Sequence, residues 1–263
     1  MGVSDMSDMS DEKKLLQEAS DRLGVPMDAR QLDQFMVYQD LLLSWNEKMN
    51  LTAITAPRDV VLKHFADCLS IVPHLHIDDN SSNDSNDSRS NRSKSRVRMI
   101  DVGTGAGFPG IPVKIACPAV EMVLLDSLQK RIGFLEEVVG QLGLDGVSCV
   151  HARAEDGGQN GLYREKFDYC VSRAVANLAV LAEYCLPFVK KGGYLVALKG
   201  PDAAQEVVRA EAALKQLGGK LVEVKDVEIP FTDLAHKLIF IQKVANTPKK
   251  YPRKAGTVAK EPL

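Results

Sequence analysis

The chain has 263 residues, 45% of them hydrophobic, so it is long enough for one large domain or for a small domain beside a larger one. Its 33 Lys and Arg against 35 Asp and Glu give a net charge of −2, which excludes a globally basic nucleic-acid-binding protein. Any contact with RNA must therefore come from local clusters of basic residues. The five cysteines are odd in number and include no C-x-x-C pair, so neither a disulfide framework nor a zinc site is indicated. No apolar run approaches membrane-spanning length, and the amino terminus has no signal-peptide core. We therefore expect a cytoplasmic protein with no metal and no membrane partner.

Residues 10–77 are predicted to form an N-terminal helical subdomain. Ser10 is placed to cap a first helix that ends at Gly24, and Asp28 is placed to cap a longer one. A third helix is predicted from about Pro57 to Ile71. These helices are amphipathic, so they must pack against something, and a sheet domain is the nearest partner. Residues up to about 9 are expected to be disordered.

Residues 78–97 differ in composition from the rest of the chain and are predicted to be a flexible loop. They are rich in Ser and Asn, with acidic residues first and basic residues from Arg89 onward. Such a segment has no apolar surface to bury. A solvated linker is the favoured interpretation, and a salt-sensitive basic arm that touches phosphate is the alternative.

From residue 98 onward, patterns typical of strands and helices alternate, which predicts an α/β domain over 98–243. Strands are predicted at 99–102, 121–126, 147–151, 167–172 and 194–199, followed by an antiparallel edge pair at 221–227 and 237–243. Helices are predicted at 111–117, 129–142, 178–188 and 203–217. The alternation indicates a mainly parallel sheet covered on both faces. Residues 244–263 form a basic C-terminal tail that is expected to be extended.

A glycine-dense turn follows the first strand of this domain and is the strongest functional signal in the chain. Asp101, Gly103, Gly105 and Gly107 form the pattern D-x-G-x-G-x-G. The dinucleotide-binding fingerprint G-x-G-x-x-G requires its third glycine at position 108, where the chain has Phe108. The pattern resembles instead the loop of S-adenosylmethionine (SAM)-dependent methyltransferases with a Rossmann-like fold. The alternative is an ordinary glycine-rich turn in another α/β protein.

Side chains at the carboxyl ends of the later strands are candidates for the same ligand, since ligands of open α/β sheets bind there. Asp126 ends its strand about twenty residues after the glycines, and its carboxylate can accept both ribose hydroxyls. Its alternative role is to cap the following helix. Ala154 and Glu155 follow the third strand, where methyltransferases commonly hold adenine, with Asp156 as a rival carboxylate. Phe108 is a candidate to cover the cofactor, although simple packing explains it equally well.

Several motifs along the chain point together to a narrower family. They are Asn50-Leu51-Thr52, His64-Phe65-x-Asp67, the run Asp101 to Pro112, Leu124 to Arg131, Phe134-Leu135, Arg153-Ala154-Glu155, Ser172-Arg173-Ala174, Leu198-Lys199-Gly200 and Lys250 to Gly256. In combination they resemble the guanine-N7 methyltransferases of small-subunit ribosomal RNA (the RsmG, or GidB, family). The resemblance covers about residues 32–263 except the Ser/Asn-rich loop.

This resemblance implies the seven-stranded methyltransferase sheet and SAM as the cofactor. It also implies methylation of one guanine, G527, in 16S rRNA, either as naked RNA or within a small ribosomal subunit particle. The SAM contacts that it implies fall on Gly103, Phe108, Ala154, Glu155 and Arg173. Gly105, from the loop pattern, and Asp126, from its place at a strand end, complete the predicted cofactor site.

Guanine N7 has an in-plane lone pair and no proton to lose, so the reaction requires alignment rather than a general base, and we predict no catalytic base. Exocyclic-amine methylation is disfavoured because Ser172-Arg173-Ala174 stands where an Asn/Asp-Pro-Pro-aromatic motif is often found. No paired cysteines suit methylation at pyrimidine C5.

The cations predicted to bind RNA phosphate or guanine O6 are Lys130, Arg131, Arg153, Arg173 and Lys199. The alternative role for some of them is to form salt bridges at the protein surface.

His64 and Asp67 are three residues apart on one helix face and are expected to form a structural hydrogen-bonded pair, with a role in lining the pocket as the second interpretation.

Two other function classes stay open from the residues alone. One is a methyltransferase of a protein or small molecule, and the other is a non-catalytic RNA-binding assembly factor. The sequence does not determine the oligomeric state.

Overall fold

The structure is a computed structural model, which describes residues 10–77, 96–173, 176–201 and 203–263. The predictions for residues 1–9, for most of the 78–97 loop and for Ala174 lie outside these ranges. The division of the chain into segments 10–77, 78–97, 98–243 and 244–263 stays a prediction.

The predicted caps of the first two helices are confirmed. Helix α1 (Asp11–Arg22) begins after Ser10, whose hydroxyl accepts the N–H of Lys13 at 3.2 Å. Helix α2 (Ala29–Met49) begins with a capping box, in which Asp28 and Gln31 each accept the other's backbone N–H. These short-range hydrogen bonds satisfy N–H groups that a helix start leaves unpaired.

The predicted third helix is interrupted. It consists of α3 (Pro57–Val60), a π-helix (Val61–Ala66) and α4 (Asp67–Leu69), followed by a 3₁₀ turn (Val72–His74). The π-helix contains His64 and ends just before Asp67, and such turns are frequent at functional sites.

The rest of the described chain alternates strands and helices as expected, with some shifted boundaries. The strands are β1 (Arg98–Val102), β2 (Glu121–Asp126), β3 (Val147–His151), β4 (Phe167–Arg173), β5 (Val189–Lys199), β6 (Gly219–Glu228) and β7 (Ala235–Lys243). The helices are α5 (Gly110–Ala116), α6 (Gln129–Leu142), α7 (Ala154–Gln159), α8 (Leu178–Cys185), α9 (Ala203–Leu217) and α10 (Thr257–Lys260). A 3₁₀ turn, Leu186–Phe188, replaces the last turn predicted for α8, and the sequence did not predict α7 or α10.

All seven strands form one mixed sheet in the order β3-β2-β1-β4-β5-β7-β6. The first five strands in this order are parallel, and β7 is antiparallel to both β5 and β6. The predicted antiparallel pairing is therefore confirmed, with β6 at the edge and β7 one place inside it. Because β1 to β5 are parallel, their carboxyl ends lie along one edge of the sheet, where β7 begins.

Helices cover both faces of this sheet. On β1, Met99 packs into a core shared with the N-terminal helices, α5 and α6, whereas its neighbour Ile100 packs into a second core shared with α8 and α9. This alternation is the period-two pattern of a strand buried on both sides. Among the described residues, no helix is long and apolar enough to cross a membrane.

The C-terminal tail is not extended, as the sequence had suggested, but is docked on the α8 side of the sheet. Tyr251 is only 3% exposed, and Arg164 donates hydrogen bonds to the backbone carbonyls of Thr247 and Tyr251 at 2.8 Å. Arg253 forms an ion pair at 2.7 Å with the fully buried Glu183 of α8. The prediction was wrong because these partners lie about 70 to 90 residues earlier in the chain, beyond the reach of a local pattern.

Candidate active site

A cleft of about 410 Å³ opens at the edge where the parallel strands end. This volume lies within the usual range for small-molecule sites. Its lining comes from the ends of β1 to β4 and from α6, α7 and α8: Val102, Gly103, Leu125, Asp126, Ser127, Arg131, Ala152, Arg153, Ala154, Glu155, Arg173 and Tyr184.

The glycine loop after β1 has a backbone conformation that explains its composition. Gly103, Gly105 and Gly107 have φ values of 71°, 61° and 98°, a region that other residues rarely adopt. At Gly107 a Cβ atom would also lie 2.5 Å from a side-chain carbon of Ile111 and 2.8 Å from the hydroxyl of Tyr38. Gly103 lines the cleft, whereas Gly105 does not.

Two buried side chains hold this loop from either side. Asp101, which is fully buried, accepts the hydroxyl of Thr104 at 2.7 Å and the N–H of Gly110 at 2.8 Å. Burial raises the pKa of Asp101 to about 7. From the other side Tyr38 of α2 donates its hydroxyl to the carbonyl of Ala106. The conformation of the loop therefore depends on both the sheet and the N-terminal helices.

Asp126 joins the glycine loop to the next βα turn. Its carboxylate accepts the N–H of Gly105 and the N–H of Leu128, both at 2.9 Å, and Arg131 approaches it at 3.3 Å. Asp126 does not serve as the N-cap of α6, because that position belongs to Leu128. It lines the cleft at 2% exposure, and a carboxylate can accept more hydrogen bonds than these three.

The predicted adenine-binding residues lie at the start of α7. Ala154 and Glu155 both line the cleft, and Glu155 is 8% exposed. Among the described residues, the carboxylate of Glu155 has no hydrogen-bond partner, so it is available to a ligand. The rival Asp156 is exposed and lies outside the cleft lining.

Arg173 ends β4 and lines the cleft, but its side chain is largely held by the N-terminal helices. It donates to Asp67 at 2.9 Å and to Nδ1 of His64 at 3.1 Å. Its guanidinium lies 4.8 Å from the ring centre of Phe108. The predicted hydrogen bond between His64 and Asp67 is not formed; Arg173 connects them instead. Arg173 lies 106 and 109 residues after Asp67 and His64, so no local pattern could identify it as their shared partner.

Phe108 is not part of the cleft lining. Apart from the cation–π contact with Arg173, its side chain packs against other rings. It is 6% exposed, its ring stacks on His64 with centres 4.5 Å apart, and it lies near Tyr38 and Phe65. Its predicted contact with SAM stays a prediction.

The other cations predicted to bind RNA differ in how available they are. Arg153 and Arg131 line the cleft, and Lys130 is exposed one residue before Arg131. Lys199 is 9% exposed, and its ammonium group donates to the carbonyl of Ala176 and, at 2.8 Å, to Glu206. The structure thus brings Arg131, Arg153 and Arg173 together at the cleft. It places Lys199 in an ion pair with the partly exposed Glu206.

Sequence reasoning missed three contributors to the site. Tyr184 of α8 lines the cleft, Tyr38 supports the glycine loop, and His236 of β7 donates a hydrogen bond to Asp67. Tyr38 and His236 contact residues 68 and 169 positions away, so no local pattern could have identified their roles. The described residues contain no group of three or more His, Cys, Asp or Glu side chains arranged to hold a metal ion.

Comparison with known proteins identifies the family. A family model described as rRNA small subunit methyltransferase G matches residues 31–234. The protein named Ribosomal RNA small subunit methyltransferase G from Alkaliphilus oremlandii (strain OhILAs) is 51% identical over 251 residues, which cover 95% of this chain and 98% of that protein. The protein of the same name from Alkaliphilus metalliredigens (strain QYMF) is 48% identical, with the same coverage of both chains.

Among solved structures, M. jannaschii TYW2 in complex with AdoMet is similar over 56% of this chain and 69% of that chain, with a TM-score of 0.46 and 14% identity. This likeness is too slight to identify a function. The family model and the two relatives, in contrast, span most of the chain at high identity. The chain therefore belongs to the rRNA small subunit methyltransferase G family.

Proposed function

We propose that this chain transfers a methyl group from SAM to N7 of guanine 527 in 16S rRNA. Membership of the family makes it a SAM-dependent methyltransferase of small-subunit ribosomal RNA. The target guanine and its N7 atom are what the motif resemblance implies. The observation that carries the proposal is the cleft at the carboxyl edge of the sheet, which the glycine loop and Asp126 border on one side and Arg173 on the other.

The donor set of this cleft suits SAM. Asp126 and Glu155 offer carboxylate oxygens to hydroxyl or amino groups, and Val102 and Leu125 offer apolar contact to an adenine ring. The three arginines at the cleft offer N–H groups to a carboxylate or a phosphate. When bound, SAM supplies an electrophilic methyl group on a positively charged sulfur. We propose SAM contacts at Gly103, Asp126, Ala154, Glu155 and Arg173, with Gly105 shaping the loop.

For the guanine, the task of the protein is to hold the base with N7 directed at the methyl group. The N7 lone pair needs no deprotonation, so positioning supplies the catalytic effect. A two-bond Arg contact to both O6 and N7 would block the nucleophile, so any cation at the base must donate to O6 alone. We propose that Arg153 and Lys130, both exposed, contact RNA phosphate instead.

We also propose that the fold is the Rossmann-like fold of SAM-dependent methyltransferases. The strand order and the position of the cleft support this assignment. The substrate is 16S rRNA, either naked or in a small ribosomal subunit particle. Action on ribosomal RNA supports a cytoplasmic location.

The test is a methylation assay with isotopically labelled SAM. The substrates are naked 16S rRNA and small subunits, both from cells that lack this activity, and N7-methylguanosine is mapped by borohydride and aniline cleavage followed by primer extension. We expect one cleavage, at position 527. Labelling at another nucleotide or atom, or no labelling of either substrate, would contradict the proposal. Lys130→Gln with Arg153→Gln should weaken RNA methylation more than SAM binding, and an equal loss of both would refute the separate roles.

A further inference from the structure

A cluster of polar side chains connects the N-terminal helices to Arg173 at the mouth of the cleft. Asp67 of α4 is 2% exposed, and both of its carboxylate oxygens are used. One oxygen accepts Nη1 of Arg173 at 2.9 Å, and the other accepts Nδ1 of His236. His236 reaches this position from the start of β7, 169 residues after Asp67.

The second terminal nitrogen of Arg173 is held by His64. Nδ1 of His64 lies 3.1 Å from both Nη2 of Arg173 and the carbonyl oxygen of Lys63, and only one of these contacts can be a hydrogen bond. An arginine can only donate, so pairing with Arg173 makes Nδ1 the acceptor and places the proton of His64 on Nε2. Nε2 lies 2.7 Å from the hydroxyl of Thr52, which accepts it. Burial, with help from the charge of Arg173, lowers the pKa of His64 to about 4. His64 is therefore neutral at pH 7 and suited to accept from Arg173.

These contacts leave part of Arg173 available. A guanidinium has five N–H groups. Asp67, the carbonyl of Lys63 and His64 accept from three of them, at 2.9, 3.4 and 3.1 Å. The remaining two, on Nε and Nη2, have no acceptor in the part of the chain that the structure describes. The side chain is 17% exposed and lines the cleft, so these two donors are within reach of a bound ligand.

The single-nitrogen contact with Asp67 is unusual, because arginine and carboxylate groups commonly pair as a fork with two parallel hydrogen bonds. A fork would draw a further N–H of Arg173 towards Asp67 and away from the cleft. His236 donates to the second oxygen of Asp67, the oxygen that a fork would use.

We infer that His236 is a positioning residue for Arg173: it shares Asp67 with the arginine, prevents the fork, and so keeps two N–H groups of Arg173 for an oxygen acceptor of the bound cofactor. This inference rests on the proposed SAM site. The charged and titratable groups that face His236 are Asp67 of α4 and Arg173 of β4. The side chain is 27% exposed, at the same edge of the sheet as the cleft, because β7 begins where β5 ends.

The test compares His236→Ala with His236→Asn, using SAM affinity from titration calorimetry. The Asn amide nitrogen can take the place of Nδ1 and donate to Asp67, whereas Ala cannot. We expect SAM affinity to fall about tenfold in His236→Ala, because the loss of one hydrogen bond to the ligand has about this effect. In His236→Asn we expect the affinity to stay within about twofold of the wild type. His74→Ala is the matched control, since His74 is also partly exposed but contacts Lys225 away from the cleft. Circular dichroism melts confirm that each variant is folded.

A second comparison separates positioning from a merely structural role. If His236 acts through Arg173, then His236→Ala should add no further loss of SAM affinity to Arg173→Ala. The inference is overturned by any of three results: unchanged affinity in His236→Ala, equal losses in the Ala and Asn variants, or additive losses with Arg173→Ala. Wild-type protein that does not bind SAM would overturn both this inference and the proposed function, whereas the other results leave the proposed function intact.

Discussion

Replacement of Asp126 by Asn tests the central element of the site. The carboxylate accepts two backbone N–H groups at 2.9 Å, from Gly105 and Leu128, and lies 3.3 Å from Arg131. Asn offers only one oxygen, so one N–H loses its acceptor and faces the amide NH₂ group, which is another donor. Asp126→Asn has almost the same size, so the change affects hydrogen bonding rather than packing.

The expected magnitude follows from the bonds that are lost. A hydrogen bond to a charged group contributes about 1.5 to 3 kcal/mol, and an unpaired buried N–H group costs a comparable amount. We therefore expect the free energy of unfolding to fall by about 2 kcal/mol. We expect SAM affinity to fall by about 10- to 100-fold, because the glycine loop loses its tether and the ribose loses a charged acceptor.

The assay is titration calorimetry with SAM, together with urea unfolding of the same preparations. Asp156→Asn is the matched control: this carboxylate is exposed, lies on the neighbouring helix α7 and is outside the cleft lining, so its loss should change neither quantity. A folded Asp126→Asn protein that binds SAM within twofold of the wild type would refute the role assigned to this carboxylate.

Three further predictions follow from buried contacts outside the cleft. Tyr38→Phe leaves the carbonyl of Ala106 without its donor, so the melting temperature should fall by about 3 to 6 °C and SAM binding should weaken; an unchanged melting temperature would show that the hydroxyl does not stabilise the loop. His64 has a folded-state pKa of about 4, lowered from 6.5 by burial and by Arg173, so the unfolded chain binds its proton first and stability is lost as the pH falls from 6.5 towards 4. Urea unfolding at pH 7 and pH 5 should show an acid loss in the wild type about 2 kcal/mol larger than in His64→Asn, and equal losses would contradict the assignment. Arg253→Ala removes the guanidinium from the fully buried carboxylate of Glu183, so the free energy of unfolding should fall by about 3 kcal/mol, and replacing both residues by Leu should recover most of it. A loss below about 0.5 kcal/mol in the single variant would mean that the tail is not anchored there.

The sequence alone determined those features that depend on neighbours a few positions apart. The caps at Ser10 and Asp28, the alternation of strands and helices, and the three glycines with positive φ all follow from local hydrogen bonding and steric limits. The place of Asp126 at the end of β2 was predictable for the same reason, since the apolar run before it marks the strand.

The tertiary structure alone decided which distant residues meet at the cleft. Arg173 could be assigned to a strand end from its sequence, but its partners Asp67 and His64 lie 106 and 109 residues earlier. The docked tail was missed for a similar reason, because the carboxylate that holds Arg253 lies 70 residues before it. Local sequence patterns predict only the structure of residues a few positions apart. The long-range contacts form because two hydrophobic cores pack on one sheet and bring remote segments of the chain together.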